Sequence, residues 1–92
     1  MRTVHIQVTG TVQGVFYRAT AHEVAEQLGL AGWVRNRADG SVEALAQGTD
    51  EQVEAFITWC HQGPRRAVVT GVQVEEVPAK EAMRGFEVKK GS

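Results

Sequence analysis

The chain has 92 residues, of which 42% are hydrophobic, 23% charged and 7% aromatic. That length accommodates one domain, spanning residues 1–92, and the composition excludes collagenous, low-complexity and disordered chains. Ten Lys and Arg against eleven Asp and Glu leave a net charge of −1, so nothing attracts nucleic acid or an acidic membrane in general.

Taken in chain order, Val4, Ile6 and Val8 alternate with His5, Gln7 and Thr9, the period of a half-buried strand, which is expected to stop at Gly10. Residues 10–18 break the pattern. Ala21, Val24, Ala25 and Leu28 then fall at i, i+3, i+4 and i+7, one stripe of a helix that ends at Gly29. Its start is open: Thr20 with Glu23 has the form of a capping box, and a start one turn earlier, near Tyr17, also fits. Residues 30–38 and 41–47 read as strands joined at Asp39-Gly40, a pair suited to a two-residue hairpin turn.

Thr49 and Gln52 form a second capping box, Asp50 and Glu51 suit a first helical turn, and Val53, Phe56, Ile57 and Cys60 repeat the helical stripe. Gly63-Pro64 stops this helix. Strands are expected at 68–77 and 85–90, where Val72, Val74, Phe86 and Val88 alternate with polar residues. Two helices with one apolar stripe each must cover the same face of an antiparallel sheet. The fold class is therefore α+β, a ferredoxin-like βαββαβ sandwich with a short closing strand. That fold hosts enzymes, RNA binders and metabolite sensors, so function must come from a site.

Residues 1–38 hold Arg2, Arg18, Arg35 and Arg37 against Glu23 and Glu26, which makes the first half the place for an anion site. Gly10-Thr-Val-Gln-Gly-Val-Phe-Tyr-Arg18 joins strand to helix with two glycines, no carboxylate and a terminal arginine. Such a loop can converge its N–H groups on an anion beside the positive helix end, and a guanidinium can close the cradle with a two-pronged grip. It lacks the Gly-Lys-Ser/Thr ending of a Walker loop and has no cysteine nucleophile. The other reading is an irregular connection with an exposed arginine. A second candidate is Asn36, which shares strand parity with the core residue Val34: it is either satisfied by backbone or aimed at a ligand. Arg35 and Arg37 have the opposite parity and are expected in solvent.

Gly10-x-Val12-Gln13-Gly14-Val15-x-Tyr17-Arg18 and Gly32-Trp33-Val34-Arg35-Asn36-x-x-x-Gly40-x-Val42, with Gly48 beyond, closely resemble the two signature motifs of the acylphosphatases. The similarity extends over nearly the whole chain, through Gly63-Pro64, Ala67-Val68 and Gly85-Phe86-Glu87-Val88. Tyr17 stands where the family often has phenylalanine. The resemblance implies hydrolysis of small acyl phosphates to carboxylate and inorganic phosphate, without metal or cofactor. It implies a phosphate-binding set of Gln13, Gly14, Val15, Phe16, Tyr17 and Arg18, with Arg18 gripping the phosphoryl group and Asn36 holding the attacking water.

The remaining candidates are weaker. His5, His22 and His61 lack metal-ligand spacing. Cys60 and His61 are neighbours on a helix and point about 100° apart, so no thiolate pair is expected. Trp33 and Trp59 are expected to pack. Arg84-Gly85-Phe86 begins like an RNA-recognition strand, but Glu87 replaces the small residue and no aromatic follows. A non-catalytic anion sensor on the same cradle would be separated from an enzyme by turnover of a simple acyl phosphate. The start MRTVHIQVTG lacks the apolar run of a signal peptide, and no apolar stretch reaches the roughly 18 residues of a spanning helix. The single Cys60 removes an internal disulfide and fits a reducing compartment. A cytoplasmic monomer with no membrane or nucleic-acid partner is expected.

Overall fold

The computed structural model describes residues 1–78 and 81–90. The alternation at the amino end forms strand β1 (Arg2–Thr11), in which Val4, Ile6 and Val8 are buried. The strand runs past the expected stop because Gly10 sits at a bulge against strand β4 (Val68–Glu76), where a Cβ would overlap the Val68 carbonyl. Only glycine permits that approach at a φ of +125°.

Helix α1 spans Tyr17–Leu28, so the earlier of the two starts is the one adopted. Thr20 is inside the helix and its N–H donates to the Phe16 carbonyl, which leaves no capping box at Thr20. Strands β2 (Ala31–Asn36) and β3 (Val42–Gly48) follow. Their connection is longer than the expected two-residue turn. The Arg37 N–H donates to the Ser41 carbonyl at 2.8 Å and the Gly40 N–H to the Arg37 carbonyl at 3.2 Å, enclosing three residues. Gly40 alone takes a positive φ, +93°. Asp39 does not, because its carboxylate accepts from both the N–H and the hydroxyl of Ser41 and holds the turn from outside. Those two bonds, the side-chain one first, keep the Asp39 carboxyl below its ordinary range.

Helix α2 (Asp50–Gln62) opens with the Thr49–Gln52 capping box and closes at Gly63, as its local signals require. Strand β4 and a four-residue β5 (Phe86–Lys89) complete the sheet, whose order is β4-β1-β3-β2-β5. The first four strands pair antiparallel, and β5 joins β2 in parallel, which makes the sheet mixed. One cluster, including Val4, Ile6, Val8, Tyr17, Ala25, Val34, Ala44, Val53, Phe56 and Phe86, fills the space between the sheet and the helices. Trp59 packs there against Tyr17 and Phe56 at ring distances of 5.0 and 6.2 Å. Trp33 does not: its strand parity places it on the open face, between Arg35 and Lys89.

The register fixes what lies beside what. Val8 pairs with Val42, and Val42 pairs with Asn36, forming one row across β1, β3 and β2. The chain leaving β1 therefore emerges at the sheet end where Asn36 stands.

Candidate active site

Between β1 and α1 the backbone takes a left-handed conformation twice, at Gly14 (φ +75°) and at Phe16 (φ +63°). Alternation of this kind turns successive N–H groups toward one side and builds an anion-binding concavity. Phe16 is also the N-cap of α1 and supplies no side-chain cap, so the first N–H groups of the helix have no capping partner from it. The helix dipole adds partial positive charge at the same place. A cavity of about 250 Å³ opens there, lined by Val12, Gln13, Gly14, Phe16, Tyr17, Arg18, Ala19 and Asn36. Both sequence candidates, Arg18 and Asn36, thus meet in one cavity.

No acidic residue lines that cavity among the described residues, and Arg18 enters none of their ion pairs. A cation with no internal counter-ion beside converging N–H groups is suited to an anion. Asn36 answers the question its strand parity raised. Its Oδ1 is buried and has no hydrogen-bond partner among the described residues, so backbone does not satisfy it. A buried acceptor left unmade costs about 1–3 kcal/mol, and its place on the cavity wall explains why it persists.

The other expected contacts divide. The Gln13 side chain is engaged elsewhere: its Nε2 donates to the Arg37 carbonyl at 2.7 Å and the Ser41 carbonyl at 2.9 Å. Both side-chain N–H groups thereby clasp the loop to the β2–β3 turn, leaving its main chain for a ligand. Val15 packs against the core and is absent from the cavity lining. The Tyr17 ring is buried, and its hydroxyl donates to the Cys60 carbonyl at 2.7 Å. Burial, with smaller contributions from Cys60, pushes this phenol far above its ordinary value, so it is a neutral packing group at any working pH. Tyr17 reaches the cavity as the first residue of α1. No sequence signal marked the conformation of Phe16 or the clasp made by Gln13.

Cys60 is buried and its thiol is pushed up to about 12 by that burial, while His61 is exposed. The two do not form a nucleophilic pair. Among the described residues no group of three His, Cys, Asp or Glu gathers as a metal site. On the open face of the sheet Glu43 is buried, with Arg35 at 2.6 Å, His5 at 2.5 Å and Arg37 at 3.5 Å. Arg35 and Arg37 are therefore paired rather than freely solvated. Burial alone would raise the Glu43 carboxyl, but the hydrogen bonds from His5 and Arg35 outweigh it and hold the group below its usual range. No helix among the described residues is long and apolar enough to cross a membrane.

The family model described as acylphosphatase matches residues 4–88. An acylphosphatase from Rubrobacter xylanophilus is 51% identical over 88 residues, covering 96% of this chain and 80% of the relative. The crystal structure of acylphosphatase from Bacillus subtilis superposes with a TM-score of 0.93 at 36% identity, covering 97% of this chain and 99% of that one. The structure of an acylphosphatase from Coxiella burnetii gives a TM-score of 0.91 at 38% identity, covering 96% and 92% of the two chains.

Proposed function

The chain belongs to the acylphosphatase family, enzymes that hydrolyse acyl phosphates, and we propose that it does so by attack of a water held by Asn36 on a phosphoryl group bound by Arg18 and the loop amides. The phosphoryl oxygens lie on the N–H groups of residues 13–18 at the start of α1, and the planar guanidinium of Arg18 grips two of them. The water donates a hydrogen bond to Asn36 Oδ1, which leaves a lone pair on the water oxygen free to face phosphorus. A new P–O bond forms as the bond to the carboxyl oxygen breaks, and its electron pair leaves on the carboxylate. The departing water proton passes to a phosphate oxygen.

The chemistry suits so sparse a site. A carboxylate is a good leaving group, so no general acid is needed. The transition state is loose, and catalysis rests on position and on charge stabilisation at the equatorial oxygens. No metal or cofactor enters the scheme, the partners are the acyl phosphate and inorganic phosphate, and the enzyme acts as a cytoplasmic monomer.

The observation that carries this reading is the unpartnered, buried Asn36 Oδ1 in the cavity that also holds Arg18. Benzoyl phosphate, followed by loss of its ultraviolet absorbance, is the test substrate. Asn36→Ala should lower kcat by several hundredfold or more, about 3–4 kcal/mol, while KM changes little. A variant whose KM alone rises would make Asn36 a binding residue and contradict its role on water. Phosphate bound without any turnover by the wild-type chain would favour a sensor.

A further inference from the structure

Phe16 combines three features, and neither folding nor the scheme above explains its side chain, since the left-handed backbone that turns the N–H groups inward is open to glycine. It is the only non-glycine residue at positive φ among the described residues. A left-handed conformation costs a side-chain-bearing residue about 1–2 kcal/mol, and glycine would remove that cost. It also holds an N-cap position, where asparagine, aspartate or serine would bond the free N–H groups and phenylalanine does not. Finally the residue is 78% exposed, so its side chain contributes little to the core. The other exposed large hydrophobic residues, Met1, Val68, Val74 and Val88, lie at the chain start or on β4 and β5, and none lines the cavity. A strained position on the cavity lining, where glycine would be unstrained, instead carries an exposed phenylalanine. Strain kept at such a place points to a ligand.

We propose that Phe16 is the acyl subsite of this enzyme, a platform that favours acyl phosphates with aromatic or extended apolar acyl groups over acetyl phosphate. The inference rests on the acyl phosphate reading above and adds its substrate preference. The cavity is about 250 Å³ and Phe16 is part of its lining, so a phosphoryl group on the loop amides leaves room for an acyl group beside that residue. With the phosphate on the loop amides, the acyl group extends into the rest of the cavity, where the exposed Phe16 offers it apolar surface. Desolvating two apolar faces there stabilises the bound substrate in proportion to the area covered. Arg18 and Asn36 act only on the phosphoryl end and cannot discriminate among acyl groups.

The test is the ratio of kcat/KM for benzoyl phosphate to that for acetyl phosphate, in the wild-type chain and in Phe16→Ala, Phe16→Gly and Phe16→Tyr. A disturbed phosphate loop affects both substrates and cancels in the ratio. The ratio should fall about three- to tenfold in the alanine and glycine variants and be retained by tyrosine, as expected for loss of an aromatic contact. Phe16→Gly takes the left-handed conformation without strain, so it keeps the test open where alanine is poorly accommodated. A wild-type chain that turns over both substrates, with a ratio unmoved in the alanine and glycine variants, overturns the subsite alone. A wild-type chain that turns over neither overturns the activity on which the subsite rests.

Discussion

Arg18 carries the only positively charged side chain on the cavity wall, and it is half exposed and free of the ion pairs found among the described residues. Its removal should therefore cost function and not fold. On the proposed scheme inorganic phosphate binds the native state alone and should stabilise it by mass action. At ten times its dissociation constant the gain is RT ln 11, about 1.4 kcal/mol, which for a chain of this size raises Tm by roughly 5–10 °C. Thermal unfolding with chloride at matched ionic strength isolates that gain from general salt effects. Arg18→Ala should lose both the shift and turnover, and Arg18→Lys should recover little, because an ammonium cannot reproduce a planar grip. An equal shift in wild type and Arg18→Ala would remove Arg18 from the phosphate site. Both Arg18 and Asn36 were legible as candidates from residue type and placement, since an arginine closing a glycine-containing loop and an amide on the core parity are local signals. The packing role of the Tyr17 ring was not legible, because adjacency in sequence to Arg18 hides that the ring turns into the core and its hydroxyl donates to the Cys60 carbonyl.

Helix α2 followed from its sequence in full: a capping box, acidic first turn and terminal glycine are all short-range devices. Helix α1 resisted, since its first residue is set by the left-handed Phe16 and not by a capping side chain. The β2–β3 turn was placed correctly but not sized, because the Asp39–Ser41 bonds that hold its extra residue compete with the two-residue geometry that Asp-Gly usually adopts. The loop and the hairpin are joined by the Gln13 clasp, the only side-chain bonds recorded between residues 10–18 and residues 37–41 among the described residues. Gln13→Glu keeps the shape and sets an oxygen against two carbonyl oxygens. It should destabilise the protein by about 2–4 kcal/mol, read as a lowered urea midpoint, and should lower kcat more than tenfold under conditions where the chain stays folded. Wild-type kcat in the folded variant would mean that β2 alone holds Asn36 in place.

At the scale of the molecule, the strand order does what neither motif can do alone. Residues 10–18 and Asn36 belong to separate segments, and the row Val8–Val42–Asn36 across β1, β3 and β2 brings them to one end of the sheet. The α+β architecture and the shared helix-covered face were readable from periodicity, whereas the parallel pairing of β5 with β2 was not, since strands of one period fit either direction. The unevenness of charge gains a location too. A net charge of −1 conceals a cavity built around Arg18 with no acid in its lining among the described residues, while Arg35 and Arg37 are paired with Glu43, and Arg37 also with Asp39. The proposed scheme puts the attack at phosphorus, with Arg18 and the amides stabilising charge there, and the cavity lining contains no acid or nucleophilic thiol among the described residues to serve attack at the carbonyl carbon. Hydrolysis of benzoyl phosphate in water enriched in ¹⁸O, with mass analysis of both products, tests that directly. The account predicts the label in inorganic phosphate and unlabelled benzoate; label in benzoate would place the attack at carbon and contradict it.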